Sequence, residues 1–316
     1  MKPDVPREFP DILTWAAWLY FVDELTQSEV AERVGVSRVT VIKLLNEAKS
    51  KGIVSIRMSP DVASRTVTSR RLSEAFGLNS ALIIPDGGNA SLTERLGRAG
   101  AFAITEALQA GDVIGVAWGR TVLSMARNVT LEHPVEDLTV VQVSASPNGL
   151  SADFSPELCS SLLANQLGAK SVNLLAPAIV SSPELRALLL QEPTIRNQLD
   201  VIRSANKVVF GVGEIGVGST VRASGLHSDA TVDKLTRQGA VAAMLGVFLD
   251  ENGNEMADPT HDRTIGISLD ELRAIPSRLC LAGGASKIKA LRAALAGGFA
   301  TDLITDLSTA MQLLEA

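Results

Sequence analysis

From residue 80 onward, short apolar runs alternate with longer amphipathic segments, and this alternation limits the possible folds more than any other feature of the sequence. The runs "SALIIP", "DVIGVAW", "LTVVQVSA" and "NKVVFGVG" have the length of buried strands. Segments such as "LTERLGRAGAFAITEAL" (92–108) have helical spacing instead. Strands that alternate with helices form a parallel sheet covered by those helices. The sequence therefore predicts a doubly wound α/β domain.

Further strands and a domain boundary complete this outline. The additional strands are expected at 171–177, 241–250, 278–284 and 301–306. The polar stretch "SPDVASRTVTSRR" (59–71) separates the α/β region from the residues before it. A chain of 316 residues has room for two domains of about 100–200 residues each. We therefore predict a small domain over 1–58 and a large domain over 59–316.

The N-terminal segment "LTQSEVAERVGVSRVTVIKLLNEAKSKGIV" has the pattern of a helix-turn-helix. Thr26 and Glu29 have the spacing of a capping box, which predicts a helix from Gln27. Gly35 can end that helix, and Ser37 can cap a second one that stops at Gly52. Two helices joined by a short turn that contains Gly form this motif. A plain helical hairpin with a solvated charged face is the alternative.

The outward face of the second helix carries side chains that can donate hydrogen bonds to base edges and phosphates. The residues predicted to bind DNA are Gln27, Ser37, Arg38, Thr40 and Lys43. After them, "IVSIRM" (53–58) alternates like a strand and predicts the wing of a winged helix. The apolar segment "ILTWAAWLYFVDEL" upstream is expected to pack against the motif from behind.

Charge is distributed unevenly along the chain. Between Leu25 and Pro60 there are six Lys or Arg and three Glu residues, a net charge of +3, whereas the residues from Asp61 onward carry 21 basic and 27 acidic residues, a net charge of −6. The basic excess therefore lies in the segment that would read DNA. Because one small module neutralises few phosphates, a homodimer or homotetramer that reads two half-sites is expected.

Composition and termini favour a soluble cytoplasmic protein. Only Cys159 and Cys280 are present, and they are not spaced as metal ligands, so neither a disulfide framework nor a structural zinc is expected. No stretch has the length and apolarity needed to span a bilayer, and "MKPDVPREFP" lacks the apolar core of a signal peptide. No metal, cofactor or membrane partner is predicted.

The turns that follow the strands are the candidate binding elements, because ligands of such sheets bind at the carboxyl ends of the strands. In "GVAWGRTVLSMA" (115–126), Gly119, Arg120 and Thr121 open a helix directly after a strand. Glycine allows the backbone to approach an anion, while the amides, the hydroxyl and the guanidinium can bind a phosphate. A tight turn with a solvated Arg120 would have the same sequence.

Two further loops after strands contribute candidates. "GVGEIGVGS" (211–219) supplies Gly211, Gly213 and Glu214, although a Gly-x-Gly pattern alone is a weak signal. "LAGGASKIKALRAAL" (281–295) supplies the close-approach pair Gly283 and Gly284, with Lys287 in the first helical turn. A lysine at a helix start opposes the helix dipole, which favours a bound anion, while a solvated lysine remains the alternative.

These segments resemble the SorC family of bacterial transcription regulators, which is also grouped with DeoR-type and central-glycolytic-gene regulators. The resemblance covers nearly the whole chain and is carried by the helix-turn-helix segment, "GDVIGVAWGRTV", "LLAPAIV", "VVFGVGEIG", "DRTIGISLDELRAIP", "LAGGASKIKALRAAL" and "DLITDLSTAMQLL". It implies an all-α winged helix-turn-helix joined to an effector domain similar to sugar-phosphate isomerases. It also implies operator DNA and a phosphorylated sugar or polyol as partners, in a dimer or tetramer.

The same resemblance assigns roles to individual residues. Gly119, Arg120 and Thr121 match the family's phosphate-binding turn, and Lys287 matches its effector-contacting lysine. One departure concerns "GAVAA" (239–243), where the family has an acidic residue at the position of Ala243. The stretch "VVQVSASPNG" also lacks the usual glycine pair. Recognition of effector hydroxyl groups is therefore expected to differ from that of the family.

Two other function classes are the alternatives. A sugar-phosphate isomerase or deaminase fused to a DNA-binding domain would need a positioned general base. The three histidines, His133, His227 and His261, are dispersed along the sequence, so no catalytic group is predicted. A DNA-binding protein without a ligand is the second alternative, and the glycine turns after the strands disfavour it. The sequence therefore predicts a non-enzymatic regulator of carbohydrate or polyol catabolism.

Overall fold

The structure, a computed structural model, describes residues 5–54, 60–147 and 155–315, and the side chains of all of these except 60–63. It divides into two compact units, Met1–Pro60 and Asp61–Ala316. The boundary between the two units follows residue 60.

The described residues of the first unit form three helices, α1 Ile12–Phe21, α2 Gln27–Val34 and α3 Arg38–Ser50. The capping box before α2 is formed, since the Thr26 N–H donates to Glu29 Oε2 at 2.7 Å and the Glu29 N–H donates to Thr26 Oγ1 at 3.4 Å. Gly35 has a φ of 74°, a left-handed conformation that ends α2. The predicted caps of the motif are therefore confirmed.

The apolar side chains of the three helices form one small core, which fixes the angle between α2 and α3. Its buried members are Ala16, Leu19, Val30, Ala31, Val34, Val41 and Leu45. Leu13, Ala17 and Ala48 extend it between α1 and α3. The segment upstream of the motif therefore packs against it as predicted. The predicted wing falls mostly on 55–59, which lie outside the described residues.

The second unit contains ten strands and eleven α-helices among its described residues. The strands are β1 Ser80–Ile84, β2 Val113–Val116, β3 Thr139–Gln142, β4 Lys170–Val172, β5 Lys207–Phe210, β6 Ala242–Met244, β7 Val247–Leu249, β8 Glu255–Met256, β9 Ser277–Leu281 and β10 Asp302–Asp306. The helices are α4 Pro60–Phe76, α5 Leu92–Ala107, α6 Arg120–Asn128, α7 Pro156–Leu167, α8 Pro183–Gln191, α9 Pro193–Arg203, α10 Thr220–Ala223, α11 Asp229–Arg237, α12 Leu269–Ala274, α13 Ile288–Ala296 and α14 Leu307–Glu315.

Seven of the strands form one parallel sheet in the order β1-β10-β9-β5-β2-β3-β4. From β2 the chain proceeds to β3 and β4 at one edge of the sheet. It then returns to β5 on the other side of β2 and proceeds through β9 to β10. The direction of winding therefore reverses between β2 and β5. This arrangement confirms the predicted doubly wound parallel sheet.

Each face of the sheet has its own core, because successive side chains of a strand point to opposite faces. One core joins Ile114, Val116 and Val140 to apolar residues of α5, α6 and α7. The other joins Val141 and Phe210 to apolar residues of α9, α12, α13 and α14. The helices therefore cover both faces, and the ends of the central strands are left for binding.

The structure corrects two strand predictions. The run 241–250 is a hairpin of β6 and β7, and with β8 it forms a separate antiparallel sheet. Leu245 and Gly246 turn the chain with φ angles of 50° and 87°, as a two-residue hairpin turn requires. The sequence did not predict this turn, because the run 241–250 is apolar almost throughout. The strand expected at 171–177 ends at Val172, and the chain is irregular beyond it.

A buried carboxylate joins the central strands at their amino ends. The Asp112 side chain is 3% exposed and lies 2.9 Å from Lys207 Nζ. It also accepts hydrogen bonds from Asn206 Nδ2 at 2.8 Å and from the Gln109 N–H at 2.7 Å. Burial raises the pKa of Asp112, but hydrogen bonds from Gln109, Lys207 and Asn206 outweigh burial and hold the pKa below its usual range.

We predict that Asp112→Ala lowers the free energy of unfolding by about 3–5 kcal/mol at neutral pH, because it leaves the Lys207 ammonium buried without its carboxylate. Denaturant unfolding measures this loss. The matched control, Asp200→Ala, removes an exposed carboxylate 3.6 Å from Arg203 and should cost less than about 1 kcal/mol. Equal stability of the two variants would contradict the assignment.

The stability that the Asp112 carboxylate contributes depends on pH, and the lowered pKa of Asp112 gives the sign of this dependence. A carboxyl whose pKa is lower in the folded chain contributes stability above its unfolded pKa, and this contribution is lost as the pH falls through the folded pKa. The difference in stability between wild type and Asp112→Ala should therefore shrink in acid.

Candidate functional site

A cavity of about 290 Å³ lies at the carboxyl ends of the central strands. Its wall is formed by the segments that follow β2, β5 and β9, together with α10 and the hairpin of β6 and β7. It therefore lies where the winding of the sheet reverses, which is the usual ligand position in open α/β sheets. We call it the switch-point cavity.

The turn between β2 and α6 brings a helix N-terminus to the switch-point cavity. Gly119 is the N-cap of α6, with a φ of 139° that favours glycine, and no side chain caps the helix. Thr121 and Val122 line the cavity within the first helical turn, where N–H groups have no intrahelical acceptor. These groups and the positive end of the helix dipole can bind an anion.

Helix α5 fixes the position of this turn. A Cβ on Gly97 would lie 2.6 Å from the Cβ of Ser124 on α6, so the two helices approach each other more closely than any larger residue would allow. Leu96 and Val122 lie buried in the same core. The N-terminal end of α6 is therefore held by packing as well as by its connection to β2.

After β5, Gly211 and Gly213 line the cavity, and both were candidates for ligand binding. The surroundings of Gly213 explain why a glycine is needed there. The Gly213 N–H donates to the Ala243 carbonyl and the Ala243 N–H donates to the Gly213 carbonyl, both at 2.9 Å. A Cβ on Gly213 would lie 2.5 Å from Val221 Cγ2. Gly213 thus joins the small sheet to the end of β5. Gly211 and Glu214 also line the cavity, and Glu214 adds a carboxyl group.

After β9, Lys287 lines the cavity, but it lies in a short 3₁₀ turn before α13 and not in the first turn of a helix as the sequence predicted. Its Nζ donates to the Val212 carbonyl at 2.8 Å, which connects the ends of β9 and β5. Burial lowers the pKa of Lys287, and Arg120 lowers it further, while Glu214 opposes them. An anion in the cavity would therefore stabilise a cation that the protein alone stabilises incompletely.

Of the two glycines before Lys287, only Gly283 lines the cavity. Gly283 lines the cavity, and a Cβ there would lie 2.2 Å from Asp306 Oδ1. Gly284 was also predicted to bind the ligand, but it does not line the cavity. Its N–H donates to Asp306 Oδ1 at 3.0 Å and to Thr309 Oγ1 at 2.7 Å. The N–H of Gly284 is therefore used in hydrogen bonds within the protein that hold this loop in place.

The remaining wall contains residues that the sequence did not single out. Ser219 and Thr220 lie at the start of α10, and the Arg222 guanidinium holds this segment to α11 through Asp229 at 3.0 Å and Asp233 at 2.6 Å. His227 follows α10 and lines the cavity. No motif surrounds it in the sequence, so only the fold could bring it to the site.

Metal binding has no support in the part of the chain that the structure describes, since no group of three or more His, Cys, Asp or Glu residues there could hold an ion. Both cysteines are buried and unpaired. Burial raises the pKa of Cys159 to about 11 and that of Cys280 to about 12, so both are neutral thiols at pH 7. Among the described residues, no helix is long and apolar enough to cross a membrane.

In the first unit, α3 presents one exposed face. Ser37, Arg38 and Lys43 are exposed, as predicted. Thr40 is half-buried, and its hydroxyl lies 2.8 Å from the Ser37 hydroxyl, so it supports the cap of α3. Arg38 Nε donates to Gln27 Oε1 at 3.3 Å. The first residue of α2 therefore orients the first residue of α3.

The same face of α3 also carries two exposed apolar residues that the sequence analysis did not identify. Val39 is 63% exposed and Ile42 is 38% exposed. Their spacing with Arg38, Lys43 and Asn46 on one side of α3 was available from the sequence as the helical period. Apolar side chains in this position can contact thymine methyl groups in a major groove.

Comparison with known proteins identifies the family. Residues 61–315 match the Sugar-bind family, a family of sugar-binding domains. The transcriptional regulator YjhU of Escherichia coli strain K12 is 35% identical over 311 residues, which cover 96% of this chain and 94% of that protein. The chain belongs to the SorC/DeoR-type family of transcriptional regulators.

Two other proteins extend the comparison. The erythritol catabolism regulatory protein EryD of Brucella abortus is 32% identical over 305 residues, which cover 95% of each chain. The crystal structure of the full-length sorbitol operon regulator SorC from Klebsiella pneumoniae superposes with a TM-score of 0.76 at 24% identity, and the match covers 96% of this chain and 98% of that chain. The SorC-type fold therefore includes both units.

Proposed function

We propose that this SorC/DeoR-type regulator controls genes of carbohydrate or polyol catabolism, and that a small phosphorylated sugar or sugar alcohol in the switch-point cavity modulates its binding to operator DNA. One observation carries the proposal: the N-terminus of α6 and the half-buried Lys287 line the same cavity. A phosphate carries about −1.5 to −2 charges and three strong acceptors. The backbone N–H groups at the start of α6, the Thr121 hydroxyl and the side chains of Arg120 and Lys287 can bind those acceptors.

The cavity also supports a sugar as the remainder of the ligand. Polar groups come from Glu214, Ser219, Thr220 and His227, which are the kinds of group that bind hydroxyls. EryD is named for erythritol catabolism and SorC for the sorbitol operon. These names favour a sugar or polyol ligand of similar size for this chain. Ala243 brings no carboxylate, so we expect discrimination among hydroxyl patterns to rest on the other polar residues.

The DNA-binding part of the proposal rests on α3. Its exposed face, with Arg38, Val39, Ile42 and Lys43, can enter a major groove and combine hydrogen bonds with apolar contacts. The Gln27 contact reduces the freedom of Arg38 before binding. One such unit covers a single half-site, so we propose that at least two copies of the chain bind one operator.

The alternative enzyme function is less well supported. Of the similar proteins of comparable length, YjhU is named as a transcriptional regulator and EryD as a regulatory protein of erythritol catabolism. Because a lysine and a carboxyl group line the switch-point cavity, the enzyme alternative needs its own test. Product formation is therefore assayed during the ligand titration. Turnover of the bound sugar phosphate would favour an enzyme over a regulator.

We predict that Arg38→Ala weakens binding to a DNA duplex, selected from a random pool by the wild-type chain, by about 1–3 kcal/mol and relaxes preference at one base pair. Lys43→Ala should weaken binding to all sequences alike and reduce the salt dependence by about one unit. Fluorescence anisotropy at several salt concentrations measures both effects.

The control for these variants is Lys234→Ala, which removes the same charge from an exposed position in α11. It should leave both affinity and salt dependence unchanged. If Arg38→Ala and Lys43→Ala bind the selected duplex like the control, α3 is not the DNA-reading helix.

For the ligand, we predict that the wild-type chain binds at least one of erythritol phosphate, sorbitol phosphate and ribose phosphate, and binds it more tightly than the dephosphorylated compound. Lys287→Met should weaken this binding roughly ten- to hundred-fold, since a hydrogen bond to a charged group contributes about 1.5–3 kcal/mol. Calorimetric titration measures both comparisons.

Lys289→Met is the matched control, because it removes an exposed lysine two residues away. It should bind like the wild type, and neither variant should change DNA affinity without ligand. Equal binding by Lys287→Met and wild type would exclude the lysine as a phosphate ligand. Equal binding of phosphorylated and dephosphorylated sugar would show that the ligand is a neutral polyol.

A further inference from the structure

Val39 is an exposed apolar side chain in the first turn of α3, the helix that is proposed to read DNA. It is 63% exposed, and Ile42, about one turn further along the helix, is 38% exposed. Neither is among the described residues that form the small core of the first unit or pack against it. An isolated exposed valine is ordinary on a protein surface. The position of Val39 on α3 gives its exposure a specific meaning.

The side chain of Val39 points away from the core of the first unit. The buried residues of α3 are Val41, Leu45 and Ala48. The period of 3.6 residues per turn puts Val39 about 150° around the helix axis from the middle of these three. In a helix-turn-helix, the N-terminal residues of the second helix contact base edges. Val39 therefore lies where a base edge would be contacted.

The hydrogen bonds around Val39 show which neighbouring groups are left to read bases. The Thr40 N–H donates to the Ser37 hydroxyl at 3.1 Å, and the two hydroxyls lie 2.8 Å apart, so both residues belong to the cap of α3. Gln27 Oε1 accepts from Arg38 Nε at 3.3 Å. The first turn of α3 therefore offers a base the terminal N–H donors of Arg38 and the methyl groups of Val39.

These two kinds of group fit two particular bases. In a major groove, guanine presents two acceptors, and thymine presents an acceptor beside its C5-methyl group. Adenine N6 and cytosine N4 are donors, which neither arginine nor valine can accept. The donors of Arg38 therefore match guanine, and the methyl groups of Val39 match the methyl group of thymine.

We propose that Val39 is a specificity-determining residue that contacts the C5-methyl group of a thymine in each operator half-site. This thymine lies within about two base pairs of the guanine that Arg38 contacts, because consecutive Cα atoms are about 3.8 Å apart and base pairs about 3.4 Å. The inference rests on the proposed function, since it requires α3 to be the helix in the major groove. It adds the chemical group that this helix recognises.

Replacing thymine by deoxyuridine tests the contact directly, because uracil differs from thymine only in lacking the C5-methyl group. The wild-type full chain first selects a duplex from a random pool. Each thymine of the selected half-site is then replaced in turn by deoxyuridine, and fluorescence anisotropy gives the affinities of wild type and Val39→Ala for every duplex. Val22→Ala is the matched control, because it removes a valine of the same unit that is 54% exposed and lies at the end of α1.

For the wild type, we expect one position near the guanine at which deoxyuridine lowers the affinity about fourfold, the effect of no longer burying one methyl-sized group. Val39→Ala should bind the selected duplex about four- to tenfold more weakly than the wild type and should lose little further affinity with deoxyuridine at that position. Val22→Ala should respond to every duplex like the wild type.

Two outcomes overturn the proposal and leave α3 as the DNA-reading helix. One is a wild type whose affinity changes by less than about twofold with deoxyuridine at every position near the guanine, or a half-site with no thymine there. The other is a Val39→Ala variant that loses as much affinity with deoxyuridine as the wild type, since another side chain would then contact the methyl group. If the chain selects no DNA, or if Arg38→Ala binds the selected duplex as tightly as the wild type, the proposed function of α3 itself fails, and this inference fails with it.

Discussion

The pairing of β2 with β5 is the constraint on which the remaining structure of the large unit depends. These two parallel strands are neighbours in the sheet although α6, β3, α7, β4, α8 and α9 lie between them in the sequence. The chain leaves their carboxyl ends toward opposite edges of the sheet, so the loops there separate and leave a cavity between them. Asp112 and its partners join the same two strands at the opposite end. The buried ion pair and the cavity are therefore two ends of one arrangement.

The chemistry of the cavity follows from this arrangement. The end of β2 leads into the N-terminus of α6, and the end of β9 leads into the turn that carries Lys287. The bond from Lys287 Nζ to the Val212 carbonyl connects that turn to β5. The small antiparallel sheet is attached to the same place through the mutual hydrogen bonds of Gly213 and Ala243. A ligand that contacts all of these segments would favour one arrangement of them, and under the proposed function this preference modulates DNA binding.

Much of this architecture was predictable because it is encoded locally. Alternating apolar runs predicted the parallel sheet, and the caps at Thr26 and Ser37 predicted the helix-turn-helix. Glycines after strands located the turn at Gly119 and the loop before Lys287. The hairpin turn at Leu245 and Gly246 was hidden in an uninterrupted apolar run, because leucine with positive φ is not a recognisable turn signal.

His227 illustrates what sequence patterns cannot supply. It reaches the cavity through contacts with Gly246 and Phe248, which lie about twenty residues away on another element. No spacing in the sequence encodes such a contact. Gly284 shows the converse, since the Gly-Gly pattern suggested ligand contact at both positions. The Asp306 carboxylate, from a strand later in the chain, takes up the N–H of the second glycine.

The central claim is that occupation of the switch-point cavity and binding of DNA are coupled. The most direct measurement is the affinity of the wild-type chain for its selected DNA duplex with and without saturating sugar phosphate, together with the affinity for the sugar phosphate with and without saturating duplex. Linkage requires both affinities to change by the same factor, and a coupling of about 1–3 kcal/mol corresponds to roughly 5–150-fold. A sugar phosphate that binds in the cavity and leaves DNA affinity unchanged would contradict the account.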